Sequence, residues 1–329
     1  MSRQQGAFEL TNLVDRIAIV TGAGNNGIGW GICRHAVSSL GMRVAVLDLH
    51  ERLVVDAARR LNDEFGEGCA IGISCDVTKP ESLVEALSSV IKHFPDRSIG
   101  AVFANAGVIF NHTLLKSTAE EWSTTLNVNV IGVVNTIQAF IPTLQAQTEE
   151  SVFCTTASVG GLVRGDGGAA SYQASKHAVV ALTEALSFEL ARKSPQVRIH
   201  VLCPCIVGTA LGATSITNAQ VARGVVATDD IEPAKTSELL GLAQTPDRHA
   251  QQVFNHVSAG NFYMVTENEP PYVDHEFPFD AEGIIRERME NMLQLDLDNS
   301  DAWSSGPNGP PSSILKGPLW QELKRRSNR

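Results

Sequence analysis

Several features that mark large classes of protein are missing from this 329-residue chain. There is no basic excess: 26 Lys and Arg stand against 36 Asp and Glu, for a net charge of -10, which argues against a nucleic-acid surface. The six cysteines (Cys33, Cys69, Cys75, Cys154, Cys203 and Cys205) lack paired metal-ligand spacing. Cys203 and Cys205 flank Pro204 with no second pair or histidine cluster to complete a site, so no metal is expected. Scattered through apolar segments, these residues read as reduced, buried thiols of a cytoplasmic protein. No apolar run reaches the about 18 residues of a membrane span. Residues 1–15 form no apolar signal core, and the closing Arg-Ser-Asn-Arg is no familiar address. No internal repeat is visible.

What is present is an alternation of short apolar runs with helical periodicity, in a chain 43% hydrophobic and so able to build a large core. Strands are expected at 17–20, 44–47, 70–74, 99–104, 152–156 and 197–202, and near Phe262 to Val265. Between them, Leu53, Ala57, Leu61 and Phe65 make one apolar helix stripe. Leu83, Leu87, Val90, Ile91 and Phe94 make another, opened by Thr78 and Pro80. Further helices are expected at 29–40, 172–192, 248–257 and 281–295. Such alternation implies an α/β fold, a doubly wound parallel sheet with helices on both faces and ligands at the carboxyl ends of the strands. The chain divides into an arm (1–12), one catalytic domain (13–275) with a lid at about 208–242, an additional helix (276–298) and a Gly/Pro/Ser-rich tail (299–329), a C-terminal extension that is poorly ordered unless it docks.

Chemistry concentrates at three places. After the first strand, Thr21 to Gly29 reads TGAGNNGIG. Glycines there permit a tight turn and the approach of a pyrophosphate to amides at a helix start, with Gly22, Asn25, Asn26, Gly27 and Ile28 as cofactor contacts. An ordinary glycine-rich turn is the plainer alternative. The second strand ends at Asp48, about 20 residues on, where a carboxylate can accept both ribose hydroxyls of NAD and repel the extra phosphate of NADP; a helix cap is the other use for such a residue. No Arg or Lys lies within the turn, so NAD is expected in preference to NADP. Farther on, Tyr172 and Lys176 are four residues apart and share a helix face. A solvated helix edge shows that spacing too, but a cation there lowers the cost of ionising a phenol that otherwise titrates near about 10.

Together these residues resemble the short-chain dehydrogenase/reductase family over about 14–209, with weaker similarity beyond. The ordered motifs are the Thr21-to-Gly29 turn, Asp48, Asp76-Val77, Asn105-Ala106-Gly107, Asn127 to Gly132 (NVNVIG), Ser158, Tyr172 to Lys176, and Pro204 with Thr209. The resemblance implies a Rossmann-like domain binding a nicotinamide cofactor. It implies Tyr172 as general acid/base, Lys176 lowering its pKa and holding the nicotinamide ribose, Ser158 bonding the substrate oxygen, and Asn129 supporting a water relay. It also implies Asp76 and Val77 beside the adenine, Asn105, Ala106 and Gly107 against the cofactor, and Val207 and Thr209 fixing the carboxamide. Taken singly, Asn129 could cap or kink a helix, Ser158 sit in a turn and Thr209 cap a helix.

Three departures stand out. The turn holds four residues between Gly22 and Gly27, one more than the family usually has. The glycine-rich segment from Ser158 to Tyr172 is one residue longer than usual, and Cys205 replaces a glycine. The expected reaction is hydride transfer between nicotinamide and a neutral, mostly apolar secondary alcohol or ketone, such as a secondary metabolite. Leu162, Val163, Val207, Leu211 and Ile216 suggest an apolar pocket. Asp229, Asp230 and Glu232 cluster late in the lid and Arg223 is nearly its only cation, which argues against anionic substrates. Arg164 and Asp166 are candidate polar contacts; His112 and His177 are assigned to surface packing. A non-redox enzyme of this fold (cyclase or dehydratase) and an NAD(H)-sensing regulatory protein are the alternatives. The resemblance further implies a homodimer or homotetramer, joined through the helices that contain Asn129 and Tyr172.

Overall fold

The computed structural model describes residues 6–162, 168–222 and 243–266. The elements run β1 (Ile17–Thr21), α1 (Ile28–Leu40), β2 (Arg43–Asp48), α2 (Glu51–Phe65), β3 (Ala70–Ser74), α3 (Pro80–His93), β4 (Ile99–Ala104) and α4 (Ala119–Leu126). After a π-helical turn (Asn127–Ile131) come α5 (Gly132–Ala146), β5 (Ser151–Thr156), α6 (Ala170–Lys193), β6 (Val197–Pro204), α7 (Leu211–Ala222), α8 (Pro246–Ala259) and β7 (Tyr263–Thr266). All the strand expectations are met within a residue or two. The additional helix and the tail expected beyond residue 275 lie outside the described residues, as do Val163, Arg164, Asp166, Arg223, Asp229, Asp230 and Glu232.

The seven strands form one parallel sheet in the order β3-β2-β1-β4-β5-β6-β7. This is a Rossmann-like sheet. Its central strands β1, β4 and β5 are buried along their whole length, because helices cover both faces. On one side, Ala18, Val20, Val44, Val46 and Phe103 pack with α1, α2 and α8 around Phe254, whose ring meets Phe103 edge-on at 5.7 Å. On the other face lie α3, α5 and α6. The strand order reverses between β1 and β4, which run parallel, so a crevice opens at their carboxyl ends.

Local signals account for several element ends. Pro80 occupies the first turn of α3, where its missing N–H costs nothing. Thr78, expected to help open that helix, instead donates to the Asp76 carboxylate in a turn before it. Thr118 and Glu121 cap α4 reciprocally. The stretch Ala119–Ala146 is long and apolar enough to cross a membrane by length and composition, with mean hydropathy 1.2. It also carries buried Thr125, Asn129, Asn135 and Thr136, whose side chains hydrogen-bond inside the domain, so it is built into the core of this fold.

Candidate active site

A cleft of about 330 Å³ lies at the carboxyl ends of β1, β2, β4, β5 and β6. Its first wall is the β1–α1 turn. Gly22 takes φ +66°, and a Cβ there would lie 2.6 Å from the Ala106 Cα, so only glycine lets the two strand ends approach. Thr21 Oγ1 accepts the Asn105 and Ala106 amides at 2.9 and 3.0 Å. Asn105 Nδ2 donates to the carbonyls of Thr21 and Gly22, and its Oδ1 accepts from Thr156 Oγ1. Three strand ends are thereby locked together.

Asp48 is where the sequence puts it, at the end of β2 and on the cleft. Its two carboxylate oxygens accept the Gly24 and Leu49 amides at 2.9 and 2.8 Å. Burial raises its pKa, and those two amides oppose the rise. Asp76 and Val77 line the same end of the cleft. Burial pushes the Asp76 carboxyl up, but the Thr78 hydroxyl and amide and Lys79 bring it below its ordinary value.

The two asparagines of the lengthened turn are held by side chains. Asn25 Oδ1 accepts the Asn26 amide, and Asn25 Nδ2 donates to Thr214 Oγ1 at 3.1 Å. Asn26 Oδ1 accepts from both terminal nitrogens of Arg60 at 3.3 Å, while that guanidinium stacks 4.0 Å from the Trp30 ring. Gly27, Ile28, Ala106 and Gly107 complete this side.

At the opposite end stand Ser158, Tyr172 and Lys176, on the β5 end and the first turns of α6. The Ser158 hydroxyl lines the cleft with the Tyr172 phenol and accepts the Gly160 amide at 3.1 Å. Lys176 Nζ lies 5.4 Å from the Tyr172 ring centre and donates to the Thr156 carbonyl at 2.7 Å. Burial brings the Lys176 ammonium down to about 8, with Cys203 opposing. Burial raises the Tyr172 phenol, and the Ser158 hydroxyl opposes the rise.

Asn129 sits in the π-helical turn between α4 and α5, wholly buried. The wider turn carries the side chain inward. Its Oδ1 accepts the Val108 amide at 2.8 Å, and its Nδ2 donates to the Val108 carbonyl and to Ser175 Oγ, each at 2.9 Å. The side chain is thus a brace between the β4 loop and α6. A Cβ on Gly107 would lie 3.3 Å from Asn129 Oδ1 and 3.5 Å from Lys176 Nζ, which puts both beside the cleft floor. Val207 bridges to Gln244, and Thr209 Oγ1 accepts the Leu211 amide at the start of α7 while lining the cleft.

Not every expectation joins the site. Leu162 is buried, and Leu211 and Val207 face the cleft, but Ile216 is 57% exposed and does not line it. His112 pairs with Glu121 and His177 with the Gln173 carbonyl, both at the surface. The sequence reading missed Thr21, Thr156, Ser175, Arg60, Thr214 and Asn218. Helical spacing puts Leu211, Thr214 and Asn218 on one face, a signal available before folding had that stretch been read as a helix.

Residues 16–220 match the short chain dehydrogenase family. The chain belongs to the short-chain dehydrogenases, and is an oxidoreductase of that family. A CLA biosynthesis dehydrogenase/reductase of Lactiplantibacillus plantarum is 26% identical over 78% of this chain and 89% of its own. A short-chain dehydrogenase/reductase from Burkholderia phymatum, in complex with NAD, matches at TM-score 0.66 and 26% identity, over 91% of this chain and 98% of its own. An alcohol dehydrogenase from Thermococcus sibiricus, complexed with 5-hydroxy-NADP, matches at TM-score 0.61 and 25% identity, over 76% and 95%. For a short-chain dehydrogenase the cleft fits a dinucleotide: a crowded glycine turn at one end, carboxylates beside β2 and β3, and a phenol and ammonium at the other.

Proposed function

We propose that the protein uses NAD, in preference to NADP, to interconvert a neutral, mostly apolar secondary alcohol and its ketone, with Tyr172 as general acid/base. The observation that carries this reading is the grouping of Ser158, Tyr172 and Lys176 on one cleft, with Lys176 Nζ 5.4 Å from the Tyr172 ring centre and Asp48 on the same cleft at the β2 end. When bound, the nicotinamide supplies the hydride donor or acceptor. In the oxidative direction the Tyr172 phenolate oxygen takes the proton of the substrate hydroxyl; in reduction the phenol returns it. The Ser158 hydroxyl orients the substrate oxygen against that phenol. Lys176, fixed by the Thr156 carbonyl, favours the phenolate and offers its remaining N–H groups to the nicotinamide ribose. Asn129 ties α6, which carries Tyr172 and Lys176, to the β4 loop; a water relay past it to Lys176 is part of the proposal.

NAD preference rests on Asp48 at the β2 end. Among the described residues lining the cleft, Lys176 is the only cation, which also supports a neutral substrate. Val108, Ala157, Ile206, Val207 and Leu211 supply an apolar lining. Six free thiols support a cytoplasmic setting. Exposed Leu126 and Ile131 on the α4–α5 stretch support a homodimer or homotetramer through that face.

The test is turnover of a panel of neutral alcohols and ketones with each cofactor, read by reduced-nicotinamide absorbance. Turnover with NAD(H) is expected, and Tyr172→Phe should lower it by about 10²–10⁴ while NADH still binds. No turnover of any candidate by a protein that binds NADH would instead favour a sensor; an unchanged rate in Tyr172→Phe would remove Tyr172 from the mechanism.

A further inference from the structure

Helix α7 touches three different loops around the cleft through side chains. Thr214 Oγ1 accepts from Asn25 Nδ2 of the glycine turn at 3.1 Å. Asn218 Oδ1 accepts from His50 Nε2, just past β2, at 2.8 Å. Ser215 Oγ accepts the Ile109 amide, past β4, at 2.9 Å. Leu211, Thr214 and Asn218 line the cleft alongside Asp48 and Leu49. The helix that follows the β6 end therefore reaches across to the β2 end of the cleft.

Its two outer anchors are themselves stiff. Asn25 is bonded to the Asn26 amide, and Asn26 to Arg60, whose guanidinium lies on Trp30. His50 is only 5% exposed. The additional residue in the turn thus has an identifiable use: with Asn26 tied back to α2, Asn25 is free to reach α7.

We propose that Asn25–Thr214 and His50–Asn218 form a clasp that holds α7 across the adenosine half of the cleft and slows cofactor release. Thr214 and Asn218 are positioning residues: they act by keeping α7 in place over the bound dinucleotide. The proposal rests on the nicotinamide reading of the cleft given above. A clasp that forms over the cofactor must open before it leaves, so its loss appears in the dissociation rate.

The experiment measures NADH affinity and stopped-flow association and dissociation by nicotinamide fluorescence, in the full chain and in Thr214→Val, Asn218→Leu, the double variant and Thr214→Ser. Each single loss should weaken NADH about fivefold, the double about twentyfold or more, through faster release at an unchanged association rate. Thr214→Ser keeps the hydroxyl and should release NADH at the wild-type rate. A double variant with wild-type release overturns the clasp. So does Thr214→Ser releasing as fast as Thr214→Val, because the hydroxyl would then not be the cause. If the wild-type chain binds neither NADH nor NADPH, the nicotinamide reading itself fails and the clasp falls with it.

Discussion

Two buried histidines should make this protein lose stability in mild acid by a calculable amount. His200 on β6 is 1% exposed and His249 on α8 is fully buried. Each uses Nδ1 in a hydrogen bond, to the Asn261 carbonyl at 2.7 Å and to Gln244 Oε1 at 3.2 Å, and each leaves Nε2 without a partner. Both acceptors are oxygens, so Nδ1–H donates, and burial with Nε2 unpartnered favours the neutral ring. Burial pulls both imidazoles from an ordinary 6.5 to about 4; Arg198 and His256 add to the effect on His200, and His256 to that on His249. Because the folded pKa is the lower one, the unfolded chain binds protons first as the pH falls. The stabilisation is therefore complete above about 6.5, drains away as the pH falls from there to about 4, and is gone below. The full gap corresponds to about 3 kcal/mol per histidine, of which about 2 kcal/mol is lost by about pH 5. Urea unfolding followed by the fluorescence of Trp30 and Trp122 reads the change. Carboxylates titrate as well, so the informative quantity is a difference. Between about pH 7 and about pH 5, wild type should lose about 4 kcal/mol more than a His200→Asn/His249→Asn double variant. Equal losses in the two proteins would refute the reasoning, whatever the variant's stability at neutral pH. The consequence reaches the site: the Cys205 amide bonds the Thr266 carbonyl of β7, so loosening the β7–α8 edge loosens the chain that leads to Val207.

Other expectations follow from single residues. Gly22→Ala puts a Cβ 2.6 Å from the Ala106 Cα at φ +66°; it should cost at least about 2 kcal/mol and weaken NADH binding, seen by thermal melting and by fluorescence titration. Asp48→Ala should shift the NADPH-to-NADH affinity ratio at least about tenfold toward NADPH; if NADPH already binds more tightly to wild type, NAD preference is wrong. Asn129→Leu strands the Val108 amide and carbonyl and the Ser175 hydroxyl, and should cost about 3–5 kcal/mol. Urea unfolding checks this, and a cost below about 1 kcal/mol would mean that these groups find other partners.

The sheet was legible because its signal is local. Ile17 to Val20, Val44 to Leu47 and Val152 to Thr156 are short apolar runs, each followed by a turn, and the α2 stripe repeats every four residues. The ends of the site residues' host strands were legible for the same reason, which is why Asp48 and Ser158 were found where they stand. What failed depended on contacts distant in sequence. Ile216 looked like pocket lining because it is apolar, yet α7 turns Thr214 and Asn218 toward the cleft and leaves Ile216 outside. The brace that Asn129 makes was not legible either, because its partners Val108 and Ser175 lie 21 and 46 positions away.

The sequence by itself determined the fold class, the order of the elements and the residue types brought to the carboxyl edge, since each follows from periodicity and turn chemistry within a few residues. Tertiary structure alone decided the balance of energies among them. Tyr172 and Lys176 share a helix turn, as the spacing required, but how far burial raises the phenol and lowers the ammonium depends on every segment packed around them. The surplus asparagine in the glycine turn is only an irregularity in one dimension. It becomes a contact with α7 because Thr214 stands within reach of Asn25, while Arg60, stacked on Trp30 of another helix, holds its neighbour Asn26.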